Sequence, residues 1–207
     1  MSLFDLTGKV AVVTGSSRGI GRAIAERLAE HGAKVAISSR KPAACEAVVR
    51  ELEAKYGVGC AVSIPANISS KEDLRHLAEV ATTHFGRIDI LICNAASNPY
   101  YGPLADISDD QFRKILDNNI IANHWLISFV APQMIARKEG SIVIVSSVGG
   151  LKASTRSAPI TFPRRPISNW RAIWPPNSAR IMCASIASRP GSCAPTLPAR
   201  FGRTRTV

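Results

Sequence analysis

A chain of 207 residues, 46% of them apolar, suffices for one domain with a sizeable core, or for one domain plus a tail. The net charge of +11 divides unevenly: all fifteen acidic residues lie at or before Glu139, so residues 1–155 are near balance and residues 156–207 supply the excess. That excess is scattered Arg without aromatic interleaving or helical spacing, so nucleic-acid binding is not expected, and no apolar run approaches the ~18 residues of a membrane span.

Short β-branched runs alternate with longer helical patterns over residues 1–146, which predicts a parallel α/β sheet of five βα units with right-handed crossovers. The first predicted strand, Val10–Val13, runs into Thr14-Gly15-Ser16-Ser17-Arg18-Gly19-Ile20-Gly21. A helix follows over Gly19–His31, with Ile20, Ala23, Ile24 and Leu28 on one face. Then come strand Lys34–Ile37, helix Pro42–Tyr56, strand Cys60–Ile64, helix Lys71–Phe85 and strand Ile88–Cys93. The segment Asp109–Ala136 predicts two helices or one bent helix, and Ser141–Val145 the fifth strand. Ser69 with Glu72, and Ser108 with Gln111, have the spacing of capping boxes.

The glycine-rich turn carries the first chemical signal. Glycines allow positive φ and close backbone approach, and a helix N-terminus turns its free amides toward an anion such as a pyrophosphate. The bland alternative is a tight turn with no ligand.

The spacing Gly15-x-x-x-Gly19-x-Gly21 resembles that of the short-chain dehydrogenase/reductase family, and three further motifs agree. Asn94-Ala95-Ala96 after the fourth strand is similar to the family's Asn-Ala-Gly. Asp117-Asn118-Asn119-Ile120 is similar to the helix segment in which an Asn joins a proton relay, a role that maps onto Asn119. Ser146-Ser147 is similar to the segment with the catalytic Ser, which maps onto Ser147. The resemblance implies a Rossmann-type doubly wound parallel sheet over residues 1–155. It also implies a dinucleotide held by Gly15, Ser17, Arg18, Gly19, Ile20, Gly21, Ser39, Arg40, Asn67, Ile68, Asn94, Ala95 and Ala96. The Asn-Ala-Ala-x-Asn-Pro run and the Ser38-Ser39-Arg40 site resemble the dehydrogenase/reductase member 4 branch, whose members reduce retinal, ketones and related carbonyls.

An acid at the end of the second strand would bind the adenosine ribose hydroxyls and repel a 2′-phosphate. Here the position reads Ser38-Ser39-Arg40, and Arg40 with Arg18 can flank a 2′-phosphate, so the expected cofactor is NADP (NADPH) rather than NAD. Both arginines also fit a plain solvated surface. Asn67 stands where many relatives place an Asp against the adenine amine, and its side-chain oxygen can accept the same bond. The run Asn98-Pro99-Tyr100-Tyr101-Gly102-Pro103 either lines a substrate pocket or is a packed loop. His84 and His124 lack metal-ligand spacing, so no metal is expected.

Family chemistry further requires Tyr-x-x-x-Lys after Ser147, with the Tyr near position 160. Position 160 is Ile160; Tyr56, Tyr100 and Tyr101 all precede Ser147, and the only later Lys is Lys152. The acid/base of the reaction is missing. The codons for Pro159 to Arg165 can be chosen so that a one-base shift reads Tyr-Asn-Ile-Ser-Lys, and a family-like sequence continues to Phe201. Three points are forced: Asn169-Trp170 yields Leu, Trp174-Pro175 yields Ala, and Met182-Cys183 yields Val. The Arg/Pro-rich tail, residues 156–207, therefore reads as out-of-frame translation after loss of one nucleotide between about codon 148 and codon 159.

Three functions follow as expectations. The first is an NADP-dependent oxidoreductase for a small carbonyl or alcohol substrate, inactive as written. The second is a non-catalytic dinucleotide-binding module, and the third an interaction role for the basic tail. The tail, with eight of the thirteen Pro and nine Arg, is expected to be irregular. The sheet would then be truncated after its fifth strand, leaving an exposed edge. Five cysteines without a CxxC pair, and an N-terminus that enters a globular pattern at once, suit a reducing, cytoplasmic setting. Relatives form homotetramers; loss of the helix after the fifth strand puts that assembly in doubt here.

Overall fold

The computed structural model describes residues 4–147 and the strand at 180–186. Five strands fall where the alternation predicts: β1 (Val10–Thr14), β2 (Lys34–Ser38), β3 (Ala61–Ser63), β4 (Ile90–Cys93) and β5 (Ser141–Ser147). A sixth, β6 (Arg180–Ile186), pairs parallel to β5 from Ser141 opposite Arg180 to Ser147 opposite Ile186. All pairings are parallel, in the order β3-β2-β1-β4-β5-β6.

β6 corrects the expectation that the sheet ends at its fifth strand and that the tail is irregular throughout. Residues 180–186 lie between Pro176 and Pro190, in the longest proline-free run of the tail. Every amide there can donate to a ladder, and the unpaired edge of β5 offers the acceptors. The rest of the tail lies outside the described residues.

The helices are α1 (Gly19–Glu30), α2 (Pro42–Tyr56), α3 (Lys71–Phe85), α4 (Asp109–Leu116) and α5 (Ala122–Arg137). A π-turn, Asp117–Ile121, joins α4 to α5 and supplies the bend expected in Asp109–Ala136. Both sheet faces are covered, which is why β1 is buried at all five positions rather than alternating. On one face Ala25 and Ala29 of α1 and Cys45, Val48 and Leu52 of α2 pack over Val13, Val35 and Ile37. On the other, Leu74, Leu77 and Ala81 of α3 and Leu126, Ile127, Val130 and Met134 of α5 pack over Val12, Leu91, Ile142 and Ile144.

Helix ends follow local chemistry, with one correction. Ser108 and Gln111 form the expected capping box of α4. At α3 the cap is Ser70, whose hydroxyl accepts the Asp73 N–H at 3.1 Å, rather than Ser69. The Ser69 hydroxyl is used elsewhere, 49 residues along the chain.

At the N-terminal ends of the strands Asp89, 3% exposed, accepts the Val10 N–H at 3.0 Å and the Arg87 Nε–H at 2.7 Å. Arg137, from the end of α5, donates to the Ile88 carbonyl at 2.7 Å and lies 3.7 Å from Asp89. This cluster locks β1, β4 and α5 together and leaves the C-terminal ends of the strands for the site.

Candidate functional site

The strand order reverses between β1 and β4, and the loops at their C-terminal ends diverge to opposite faces, opening a crevice there. The glycine turn lies at this point. Gly15 (φ 67°) and Gly19 (φ 57°) adopt the left-handed backbone that a side chain disfavours. Gly21 is required for space instead: a Cβ there would overlap Asn94 Nδ2 and the Gly15 carbonyl. The N-terminus of α1 has no side-chain cap and no acid in its first turn, so its orphan amides are open to an anion. A glycine turn with no room for a Cβ at Gly21, ending in uncapped amides, fits a pyrophosphate.

Two buried hydroxyls hold this turn in place. Ser16 Oγ donates to the Val13 carbonyl at 2.7 Å and accepts the Ser38 N–H at 2.9 Å, while Ser16 N–H donates to the Ser38 carbonyl at 3.0 Å. The glycine turn is thus tied to the end of β2, where Ser39 and the exposed Arg40 follow. Ser39 Oγ lies 3.1 Å from the buried Cys45 sulfur. Thr14 Oγ1 accepts the Asn94 and Ala95 N–H groups at 3.0 and 3.1 Å. Asn94 Nδ2 donates to the Thr14 carbonyl at 2.9 Å and the Gly15 carbonyl at 3.2 Å, riveting the loop after β4 to the turn after β1.

The loop after β3 is closed by Asn67. Its Oδ1 accepts the Ser69 N–H at 3.2 Å, and its N–H donates to Asp73 Oδ2 at 2.9 Å. That bond, with a second from the Ser70 hydroxyl, holds the Asp73 carboxyl below the usual carboxylate range. Ile68 packs half-buried against the core beside it. At the π-turn the Asn119 side chain accepts the Ser97 N–H at 3.1 Å and donates to the Ser97 and Ile115 carbonyls at 2.8 and 2.9 Å. Its carbonyl accepts from Asn123 Nδ2 at 2.9 Å.

Of the residues singled out in the sequence, Gly15, Ser17, Arg18, Gly19, Ile20 and Gly21 share the first turn, and Ser39 and Arg40 sit beside it through Ser16. Asn94, Ala95 and Ala96 form the opposite lip, and Asn67, Ile68 and Asn119 belong to the two loops and the π-turn just described. Ser147 ends β5, and its side chain lies outside the described residues, as do Lys152, Ile160 and the segment where Tyr-x-x-x-Lys is expected. Thr14, Ser16, Ser97 and Asn118 were not singled out, although they carry the bonds that assemble the site. Small polar residues flanking a glycine turn were the available sign for the first two.

Asn98–Pro103 is a largely exposed loop, with Tyr101 74% exposed; within it Tyr100 folds over Gly102 and donates its hydroxyl to the Pro103 carbonyl at 2.9 Å. Burial pushes the Cys93 thiol up to about 12, which leaves it inert. Among the described residues no group of three His, Cys, Asp or Glu can hold a metal ion, and no helix is long and apolar enough to cross a membrane.

The family model for short chain dehydrogenase matches residues 9–159. The chain belongs to this family. Dehydrogenase/reductase SDR family member 4 of Rattus norvegicus is 38% identical over 183 residues, 86% of this chain and 64% of its own length. The Homo sapiens protein of that name is 40% identical over 155 residues, 74% of this chain and 55% of its own length. The chain thus spans only about half to two thirds of these relatives. Among solved structures it is similar to a 7α-hydroxysteroid dehydrogenase in complex with NADH and 7-oxo glycochenodeoxycholic acid. That chain is 28% identical with TM-score 0.80, and the match covers 89% of this chain and 71% of that one. A short chain dehydrogenase/reductase from Burkholderia phymatum in complex with NAD has the same fold, with TM-score 0.79 and 24% identity; the match covers 90% of this chain and 66% of that one. The family is one of oxidoreductases that bind a nicotinamide dinucleotide.

Proposed function

We propose that this chain binds NADP(H) in the crevice between β1 and β4, and that it descends from a carbonyl or alcohol reductase whose reaction it cannot complete as written. The observation that carries the cofactor choice is the Ser16 clamp. It sets Ser39 and Arg40 beside the glycine turn with Arg18, where an acid would select NAD. Arg40 and Arg18 pair with the 2′-phosphate, the α1 amides take the pyrophosphate, and Asn67, Ile68 and Asn94–Ala96 enclose the adenosine side.

A nicotinamide held there would offer hydride chemistry toward a carbonyl or alcohol carbon. The chain's own part would be to hold a proton at the substrate oxygen, with Ser147 and a Tyr-Lys pair, while Asn119 joins the relay. The Tyr and Lys are absent from the sequence. Free buried Cys45 and Cys93 suit a reducing cytoplasm.

Fluorescence titration tests the cofactor reading. NADPH binds about tenfold or more tightly than NADH, and Arg40→Ala abolishes the preference; equal affinities in the unaltered chain refute it. Turnover of a ketone with NADPH would refute the loss of catalysis.

A frameshift explains the missing pair, and the end of the family match at residue 159 supports it. Sequencing the coding DNA decides: an intact frame with unrelated third bases overturns this origin. An in-frame tail is the second reading, favoured by β6 and by the rat relative's alignment over 86% of the chain, which runs past the end of the family match. On that reading the chain is a dinucleotide-binding module in its own right.

A further inference from the structure

Asn118 is 3% exposed and sits in the π-turn beside Asn119, yet its amide reaches two different loops. Its Oδ1 accepts the Ser69 hydroxyl at 2.7 Å, and its Nδ2 donates to Ser97 Oγ at 2.7 Å. Ser69 belongs to the loop after β3, closed through Asn67. Ser97 follows Asn94-Ala95-Ala96 in the loop after β4, where its backbone is held on both sides by Asn119. β3 and β4 are not neighbours; β2 and β1 lie between them, a separation of about 14 Å at ordinary strand spacing. One buried amide therefore bridges loops that flank the crevice from opposite sides. A buried amide with both ends bonded is expensive to misplace, because each lost partner leaves a desolvated polar group.

The geometry points to Asn118 as a positioning residue for the adenosine half of the nucleotide, acting through Ser69 and Ser97. It fixes the gap between Asn67–Ile68 and Asn94–Ala96, so adenosine binding and the geometry of the π-turn that carries Asn119 are coupled. This rests on the nucleotide reading above.

The test measures binding rather than turnover, on the full chain. Dissociation constants for NADPH and for the fragment adenosine 2′,5′-bisphosphate are compared in the unaltered protein, Asn118→Leu, Ser69→Ala and the double variant, with the unliganded melting temperature of each. Asn118→Leu and Ser69→Ala are each expected to weaken both ligands about five- to tenfold. The double variant is expected to be no weaker than Asn118→Leu alone, since one bridge is cut either way. Ser69 is an exposed residue whose hydroxyl is not needed for a helix cap, so Ser69→Ala carries the test if Asn118→Leu does not fold. Unchanged affinities with only a lower melting temperature would reduce Asn118 to a structural residue and overturn the inference, as would losses that add fully in the double variant. If the unaltered chain binds neither ligand, the nucleotide reading falls and this inference with it. If it binds NADPH and the variants bind equally well, only the inference falls.

Discussion

Replacing Gly21 by Ala tests the packing on which the site depends. The new methyl would lie closer than the 3.0 Å limit for side-chain carbons to both Asn94 Nδ2 and the Gly15 carbonyl. Relief requires the carbonyl to withdraw by roughly 1 Å to an ordinary contact, which breaks its 3.2 Å bond from Asn94. Overpacking of this kind costs about 1–3 kcal/mol, the lost bond adds about 1 kcal/mol, and the helix preference of Ala over Gly returns about 1 kcal/mol. The expected net loss is about 2 kcal/mol, or roughly 4–8 °C in melting temperature for a chain of this size. Gly19→Ala is the control, because its methyl meets nothing within 4 Å and strains only the left-handed backbone. It should cost about 1–2 kcal/mol without moving Asn94. Urea unfolding and the amide NMR signals of Thr14, Gly15 and Asn94–Ala95 read the difference. A Gly21→Ala protein with an unaltered unfolding midpoint and unmoved Asn94–Ala95 signals would refute the packing account.

At the other end of the sheet, Asp89→Ala strands the Val10 N–H and takes a carboxylate from Arg87, which keeps Glu139, and from Arg137, which keeps the Ile88 carbonyl; it should destabilise the fold by about 1–3 kcal/mol in urea unfolding. An effect under about 0.5 kcal/mol would mean that the cluster is dispensable. The lowered pKa of Asp73 gives a sign for acid sensitivity. Its contribution is complete above its ordinary value of 3.8 and is lost as the pH falls through the lower folded value. Asp73→Asn should therefore shrink the stability lost as the pH falls below 3.8, and an identical acid profile would count against the Asn67 and Ser70 bonds. Cys93, with its thiol pushed up to about 12 and 1% exposure, should resist alkylation at neutral pH until the chain unfolds. Peptide mapping that finds it modified under native conditions would contradict that burial.

Much of the architecture was legible because it repeats. β1 and β2 are buried runs of Val, Ala and Ile, and α1 to α3 carry the 3.6-residue stripe, so their limits fall within a residue or two of the pattern. What local pattern does not encode is which of two equivalent groups a distant partner takes. Ser69 and Ser70 each stand three residues before an acid, and only the position of Asn118 assigns Ser69 to the bridge and Ser70 to the cap. The π-turn has no periodic signature; a bend in Asp109–Ala136 was readable, but not its five-residue register. β6 escaped notice because the composition of the whole tail hid a short proline-free run. In the site, the glycines and Asn94 announce themselves by spacing, whereas Thr14, Ser16, Ser97 and Asn118 act through bonds to residues far along the chain.

The seven-residue pairing of β6 with β5 changes what the tail is to the rest of the molecule. Whatever wrote that segment, it shields the flank of a strand that would otherwise offer seven residues' worth of open backbone to any passing chain. A chain cut at residue 155 would not be a cleaner version of the dinucleotide domain. It would carry a sticky margin, and its tendency to self-associate would grow with concentration. Through β6 the tail serves as the selvedge of the sheet.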